Sequence, residues 1–509
     1  MKEHRPMRFL ASRRWRIFLT AWILYSVHFA TNVVREHYPA FSLAEHGTFQ
    51  VDEYQGFHAD IFVHRDGHSY VGNNVIVSVL AAVPLFVFDP VLDALEDRGK
   101  QNLTHGNGKP ASAYRTDKPN RRAFFRLVKE RGLELRFGAA TVITTAFFMA
   151  PLTALFVVLM FNLLRRRQVE ADSATWLALL FAFGTPVFFR TAHLNHNMFL
   201  MYAMFLAFIL LWIPPGEHLP VSQKRRLLAG FLAGFSLAAD YIGVIVIALL
   251  YGYLVLTRLS STSWRTSLRE SLAFVVGSVP PVLFLIYSQW AMYGNPFLPG
   301  QYWMPEQNIY TGEGWRGLDW PSLDLFQLNL FDPSYGLYIY GPLLLLGLVP
   351  AIYHHTKLIL PRRERLFVIA CFAAFLTFCA ANQYSRLQFN SGVRYLIPLV
   401  PFIFLASCDH LLRLPKVWKI SITVLAILHS WVTTVFREPI PEAWALFLEN
   451  GVQVPWLMVL RQTSTSGRSI LWHPLLPGVI LGVTLLLLLG LWTYGARLET
   501  QGQRRDAIG

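Results

Sequence analysis

Apolar residues along this chain neither alternate nor keep to one helical face; they come in long runs. LYIYGPLLLLGLVPAIY at 337–353 and LLPGVILGVTLLLLLGLW at 475–492 are two of them. Crossing the hydrocarbon core takes roughly 20 consecutive apolar residues. Lipid offers no partner to a backbone amide, so such a run satisfies its own hydrogen bonds and becomes a helix. A transmembrane β-barrel would instead show short segments of alternating polarity. The pattern therefore predicts an all-α polytopic membrane protein. Spans fall near 17–34, 137–163, 174–189, 197–213, 227–239, 241–256, 271–292, 336–353, 366–382, 394–411, 419–436 and 475–495, about twelve helices in all.

Lys and Arg punctuate every second connection. Arg13, Arg14 and Arg16 precede the first run, and Arg165, Arg166 and Arg167 follow the second. Lys224, Arg225 and Arg226 follow the fourth, and Arg258, Arg265 and Arg269 the sixth. Lys357, Arg362, Arg363 and Arg365 follow the eighth, Arg413, Lys416 and Lys419 the tenth, and Arg497, Arg504 and Arg505 the last. Short basic connections stay on the cytoplasmic side, so both termini are expected inside. One apolar stretch, NVIVSVLAAVPLFVF at 74–88, breaks this parity if counted as a span, and it is short for one. It is expected to lie in, or dip into, the membrane interface. Residues 35–136 then form one long external loop. Its polar part, QNLTHGNGKPASAYRTDKPNRR, and the nearby Lys129, Arg131 and Arg136 are basic. These cations either depart locally from the charge rule or bind something anionic. Two further external segments, 293–335 and 437–473, are rich in Trp, Tyr, Pro and Gly.

Of the 509 residues 54% are hydrophobic and only 15% charged, with a net charge of +14. The basic residues sit between apolar runs, where they write topology, so nucleic-acid binding is not the reading they favour. Cys371, Cys379 and Cys408 lie inside predicted spans and read as small packing residues rather than a disulfide framework. RRWR followed by a long apolar stretch without a small-residue cleavage site reads as an uncleaved first span. The lack of an evident internal repeat disfavours a transporter of duplicated halves.

Candidate chemistry gathers at external helix ends. REHYPAFSLAEHGTFQVDEYQGFHADIF, just after the first span, supplies Glu36, Asp52, Glu53 and Asp60. A carboxylate there can take a proton from an attacking hydroxyl; the plainer reading is a solvated loop with ordinary acids. Arg190, His193 and His196, in FRTAHLNHNM, sit in the turn between the third and fourth spans. The His spacing permits a metal pair, but no third ligand is evident, and a phosphate-contacting turn is preferred. Asp240 and Tyr241, in LAADYIG, occupy the next external turn; an ionisable residue at that depth points to function, a helix cap to structure. Arg394, in SGVRYLIP, suits a phosphate gripped bidentately, or else snorkels as an anchor.

The order of these features resembles the GT-C glycosyltransferases, in particular prokaryotic relatives of the protein O-mannosyltransferases and the aminoarabinose (lipid A) transferases. REHYPAFSLAEHGTF is similar to the family's acidic pair followed by a small helix ending in Gly. DGHSYVGNNVIVSVLAAVPLF resembles its apolar interfacial segment. LAGFLAGFSLAADY, YGNPFLPGQYW with Tyr302, FDPSYGLYIYGPLLLLG and GVRYLIPLVPF follow in the family's order, up to about residue 405. Two departures stand out. Arg35 replaces the usual first acidic residue, and Asn73-Asn74 stand where Pro-Gly is usual.

The resemblance implies an inverting, metal-independent transferase without a cofactor, working on the extracytoplasmic face of a bacterial plasma (inner) membrane. Its donor is a polyprenyl-phosphate sugar; its acceptor, whether protein, glycolipid or polymer, is open. Glu36, Asp60 and Asp52 are the candidate bases. Arg394, Arg136 and Arg190 are the candidate phosphate cations, with His193, His196, Asp240, Tyr241 and Tyr302 as further substrate contacts. Residues 1–436 are expected to form the transferase domain, and 437–509 an external segment, a final span and a cytoplasmic tail. A multi-span transporter or lipid-sugar flippase, an oligosaccharide ligase and a non-catalytic scaffold are the competing readings.

Overall fold

The computed structural model describes residues 8–105, 119–213, 221–259, 263–305, 314–349, 358–390, 392–463 and 470–506. They are overwhelmingly helical. Among the described residues the one sheet is a hairpin in the first loop, Ile61–Val63 antiparallel to Ser69–Val71 with Phe62 opposite Tyr70.

Among the described residues five helices are long and apolar enough to cross a membrane: Glu134–Arg166, Trp264–Tyr293, Arg362–Ala381, Lys416–Phe436 and Leu476–Gln501. Two bent pairs, Ile76–Val87 with Asp89–Gln101 and Ile440–Asn450 with Pro455–Arg461, bring the number to seven if each counts once. The helical membrane-protein expectation holds at this level; twelve uninterrupted spans do not. Ala171–Phe183, His196–Leu211 and Gly243–Leu259 have 13, 16 and 17 residues, which at about 1.5 Å per residue reach only about 20–26 Å. Gly184, Thr185 and Pro186 end the first of these before the helix resumes at Val187–Thr191. The expected span at 336–353 is a different object. Leu337–Tyr340 gives way at Gly341 to a 3-10 segment, Pro342–Leu348, because Pro342 has no N–H to donate to the preceding turn.

The stretch 74–88 does not run on as a straight span either. Ile76–Val87 ends at Phe88, and the chain leaves it at 78°. Its Val77, Ala81 and Leu85 are buried, while Val83, Phe86 and Val87 are more than 60% exposed. An aromatic cluster fastens the first loop. Phe41 stacks on Phe137 at 5.7 Å, Tyr38 lies 5.4 Å from Tyr54, and Phe57 meets Phe137 edge-on at 5.4 Å. Phe137 opens the Glu134–Arg166 helix, so the loop's acidic segment is tied to the top of that helix.

Gln223–Ala239 and Trp264–Tyr293 pack through small residues. A Cβ at Gly230 would lie 1.9 Å from the Phe274 carbonyl oxygen, and one at Gly277 2.0 Å from that of Leu227. Close backbone approach of this kind is how membrane helices gain dispersion energy, and a rigid carbonyl cannot move aside as a side chain tip can. Gly277→Leu is therefore expected to abolish recovery of folded protein in detergent. Gly138→Ala, whose added methyl meets nothing within 4 Å, is expected to elute as wild type in size exclusion. Equal, monodisperse recovery of Gly277→Leu contradicts the packing.

Candidate active site

Glu36 is the N-cap residue of His37–His46, and its carboxylate makes no capping bond there, which leaves it to face other partners. It is only 3% exposed. His196 is the first residue of His196–Leu211. Asn195 sets its position: Oδ1 accepts from the Met198 amide at 3.1 Å, and Nδ2 donates to the carbonyls of Arg190 (2.8 Å) and His193 (2.9 Å). Asp240 closes Gln223–Ala239 and accepts from the Ile242 amide at 3.2 Å.

These elements bring five side chains into one line. The Arg35 guanidinium grips Asp60 at 2.5 Å and reaches Glu36 Oε1 at 3.6 Å. The same Glu36 oxygen meets His196 Nδ1, and His196 Nε2 lies 3.0 Å from Asp240 Oδ2. Each ring nitrogen of His196 thus faces one carboxylate. Glu36 Oε2 has no hydrogen-bond partner among the described residues. Burial alone would raise the Glu36 carboxyl, but the His196 bond and charge, then Arg35 and Arg394, hold it well below its usual range. Asp60 is likewise held down against burial by Arg35, His58 and Arg394.

Arg394 lies beside this line. Gly392, two residues earlier, has φ +62°, and a Cβ there would press 2.6 Å from the Phe189 ring, so the turn that presents Arg394 depends on glycine. Gln388 Oε1 accepts from the Arg394 and Tyr395 amides, each at 3.1 Å. Arg394 Nε donates to Asn197 Oδ1 at 3.3 Å. Among the described residues no carboxylate lies within ion-pair distance of Arg394. Asn197 is fully buried, and its Nδ2 has no acceptor. The opposite amide orientation would turn Nδ2 toward the guanidinium, donor against donor, so Oδ1 faces Arg394 and Nδ2 is left without an acceptor. An unpartnered buried donor is costly, and here it sits next to a cation without a carboxylate.

A second pair of guanidinium groups lies behind. Arg437, in left-handed backbone at the end of Lys416–Phe436, donates to the Phe189 carbonyl at 3.1 Å and to His193 Nδ1 at 2.8 Å. Arg190 is buried, and its charge is opposed first by burial, then by Arg394 and Arg437. Glu36 already offsets part of that repulsion.

The other expected residues are placed elsewhere or are already engaged. Arg136 pairs with Glu45, Asp93 and Glu96, none of which touches Glu36. Asp52 accepts from His68 at 2.9 Å and from the Ser69 amide, and so fastens the hairpin. Tyr241 accepts from Gln289 at 2.7 Å. Tyr302 is 39% exposed, with the Arg316 guanidinium 5.2 Å from its ring. His193 and His196 do not converge as a metal pair, since Arg437 and two carboxylates occupy them. The group spaced for a metal among the described residues is instead Glu45, His46 and Glu53, where Arg136 already occupies Glu45. Asn197, Gln388 and Arg437 were not singled out in the sequence. Asn197 stood within FRTAHLNHNM as a polar residue opening a span, a signal that was available; nothing local marked the other two.

At the far end of Glu134–Arg166 lies a separate polar cavity of about 270 Å³, lined by Arg167, Glu170, Ser173, Asp409 and Arg413 among others. Arg365 pairs with Asp409 at 2.7 Å beside it, and Arg167 donates to the Leu358 and Ile359 carbonyls, each at 2.8 Å.

Comparison of the chain with protein-family models, curated proteins and solved structures finds no match. The case for function therefore rests on the site's own chemistry.

Proposed function

We propose that this protein is a membrane glycosyltransferase. It moves a sugar from a polyprenyl-phosphate donor to an acceptor hydroxyl on the extracytoplasmic face, with both termini inside and about twelve passes. The observation that carries the reading is the pairing of Arg394, without a carboxylate partner, with the orphan Asn197 Nδ2, next to a buried carboxylate with one open oxygen. The two donors suit phosphate oxygens, and the cation stabilises the charge that develops as the phosphate leaves. Glu36 Oε2 accepts the acceptor's proton while the acceptor oxygen attacks the anomeric carbon. One displacement inverts that centre, so a second nucleophilic carboxylate is not required. Asp60 holds Arg35, and Arg35 in turn helps keep Glu36 ionised.

The test uses purified protein in liposomes supplied with sugar-labelled polyprenyl phosphates of several sugars and prenols, with cell-envelope extract as acceptor. The expected result is release of polyprenyl phosphate with at least one donor. Label that crosses the bilayer while the lipid-linked sugar stays intact would replace the reading with a flippase.

A further inference from the structure

His196 and Asp240 read from the sequence as contacts to the donor. We propose instead that they form a clamp which aims the base: Asp240 fixes the His196 ring, and the ring holds Glu36 by Oε1 so that Oε2 faces the acceptor. The inference rests on the transferase reading and on Glu36 as its base.

Both His196 nitrogens are taken by carboxylates, Nδ1 by Glu36 and Nε2 by Asp240, so the ring has no nitrogen left for a phosphate. Both Asp240 oxygens are engaged as well, Oδ2 by His196 and Oδ1 by the Ile242 amide. The three residues come from separate helix ends: the start of His37–His46, the start of His196–Leu211 and the end of Gln223–Ala239. A Glu side chain loses much rotamer freedom on being fixed, and Glu36 has no cap bond of its own to fix it. The clamp does this from outside the loop. His196 and Asp240 are thus positioning residues, acting through Glu36. The other charged or titratable groups facing Glu36, His196 and Asp240 are Arg35, His37, His58 and Asp60 from the first loop, Arg190 and His193 from the turn, Tyr241 next to Asp240, Cys379 near the end of Arg362–Ala381, and Arg394 and Tyr395 after Gly392. They are unchanged in the variants proposed here.

Asp240→Asn is expected to lower kcat about tenfold or more with little change in donor KM, and to move the acid limb of the pH–rate profile upward. The sign follows from Glu36, whose depressed folded value gives stability that is present above its unfolded value and lost as pH falls through the folded one. Against burial, His196 holds Asp240 itself below its usual range, so losing that carboxylate and weakening the clamp both shrink the window, and the Tm of Asp240→Asn is also expected to fall less steeply on acidification than that of wild type. Asp240→Glu should restore part of the rate. A KM rise alone, or a uniform loss with the acid limb unmoved, overturns the clamp in favour of a substrate contact or a merely structural role. The Tm profile needs no turnover, so a wild type inactive with every donor would sink the transferase reading while the clamp is still judged; an acid slope unchanged in Asp240→Asn would sink the clamp alone.

Discussion

Glu36→Gln is expected to lower transfer from a polyprenyl-phosphate sugar by about 10²- to 10⁴-fold, the range a positioned general base supplies. The amide keeps an oxygen for His196 and Arg35, so the protein should still be recovered folded; it cannot take the acceptor's proton. The other two candidate carboxylates make this specific. Asp52→Asn should leave the rate within about twofold of wild type, because Asp52 is engaged by His68 and the Ser69 amide, and the Asp52–His68 pair is itself half exposed, where single pairs contribute little. Asp60→Asn should fall between the two, since it releases Arg35, which still has Glu36 within reach. Transfer by membranes carrying each variant, normalised to folded protein, gives the order. A Glu36→Gln enzyme as active as wild type would remove Glu36 as the base.

Arg394→Gln carries the second large effect. Losing one preorganised donor or cation at a developing negative charge costs about 10²- to 10³-fold, roughly 3–4 kcal/mol. Arg394 acts through a fork already oriented by Asn197 and by the Gln388 grip on its backbone. Arg394→Lys should therefore recover little, because an ammonium is a point charge without the fork. Asn197→Ala removes the orphan Nδ2 and the Nε anchor together, and should weaken donor binding as well as turnover. Steady-state kinetics over a range of donor concentration separates the two effects. Wild-type kcat in Arg394→Gln would mean that the leaving phosphate is met elsewhere.

The parts that could be read in advance are those set by local pattern. Long apolar runs announce membrane helices because lipid leaves a backbone no alternative, and an acid directly after the first span marks Glu36 without knowledge of its partners. Lengths are another matter. The run at 336–353 is as apolar as any, yet Gly341 and Pro342 deny it an α-helix. Gly184 to Pro186 likewise divides what reads as one span. Site membership depends on contacts across more than a hundred residues. Glu36 to His196 and Arg394 to Asn197 are such pairs, and neither spacing nor composition encodes them. For the same reason Arg136, basic and close to a span, looked like Arg394. Only the fold shows three acids around the one and none beside the other.

The most direct measurement is a cryo-EM structure with a bound polyprenyl phosphate. The expected density puts phosphate oxygens within hydrogen-bond distance of the Arg394 guanidinium and Asn197 Nδ2, with the side that would carry the sugar turned toward Glu36 Oε2. A phosphate bound instead among Arg167, Ser173 and Arg413 at the opposite helix ends, with the Arg394 region empty, would contradict it.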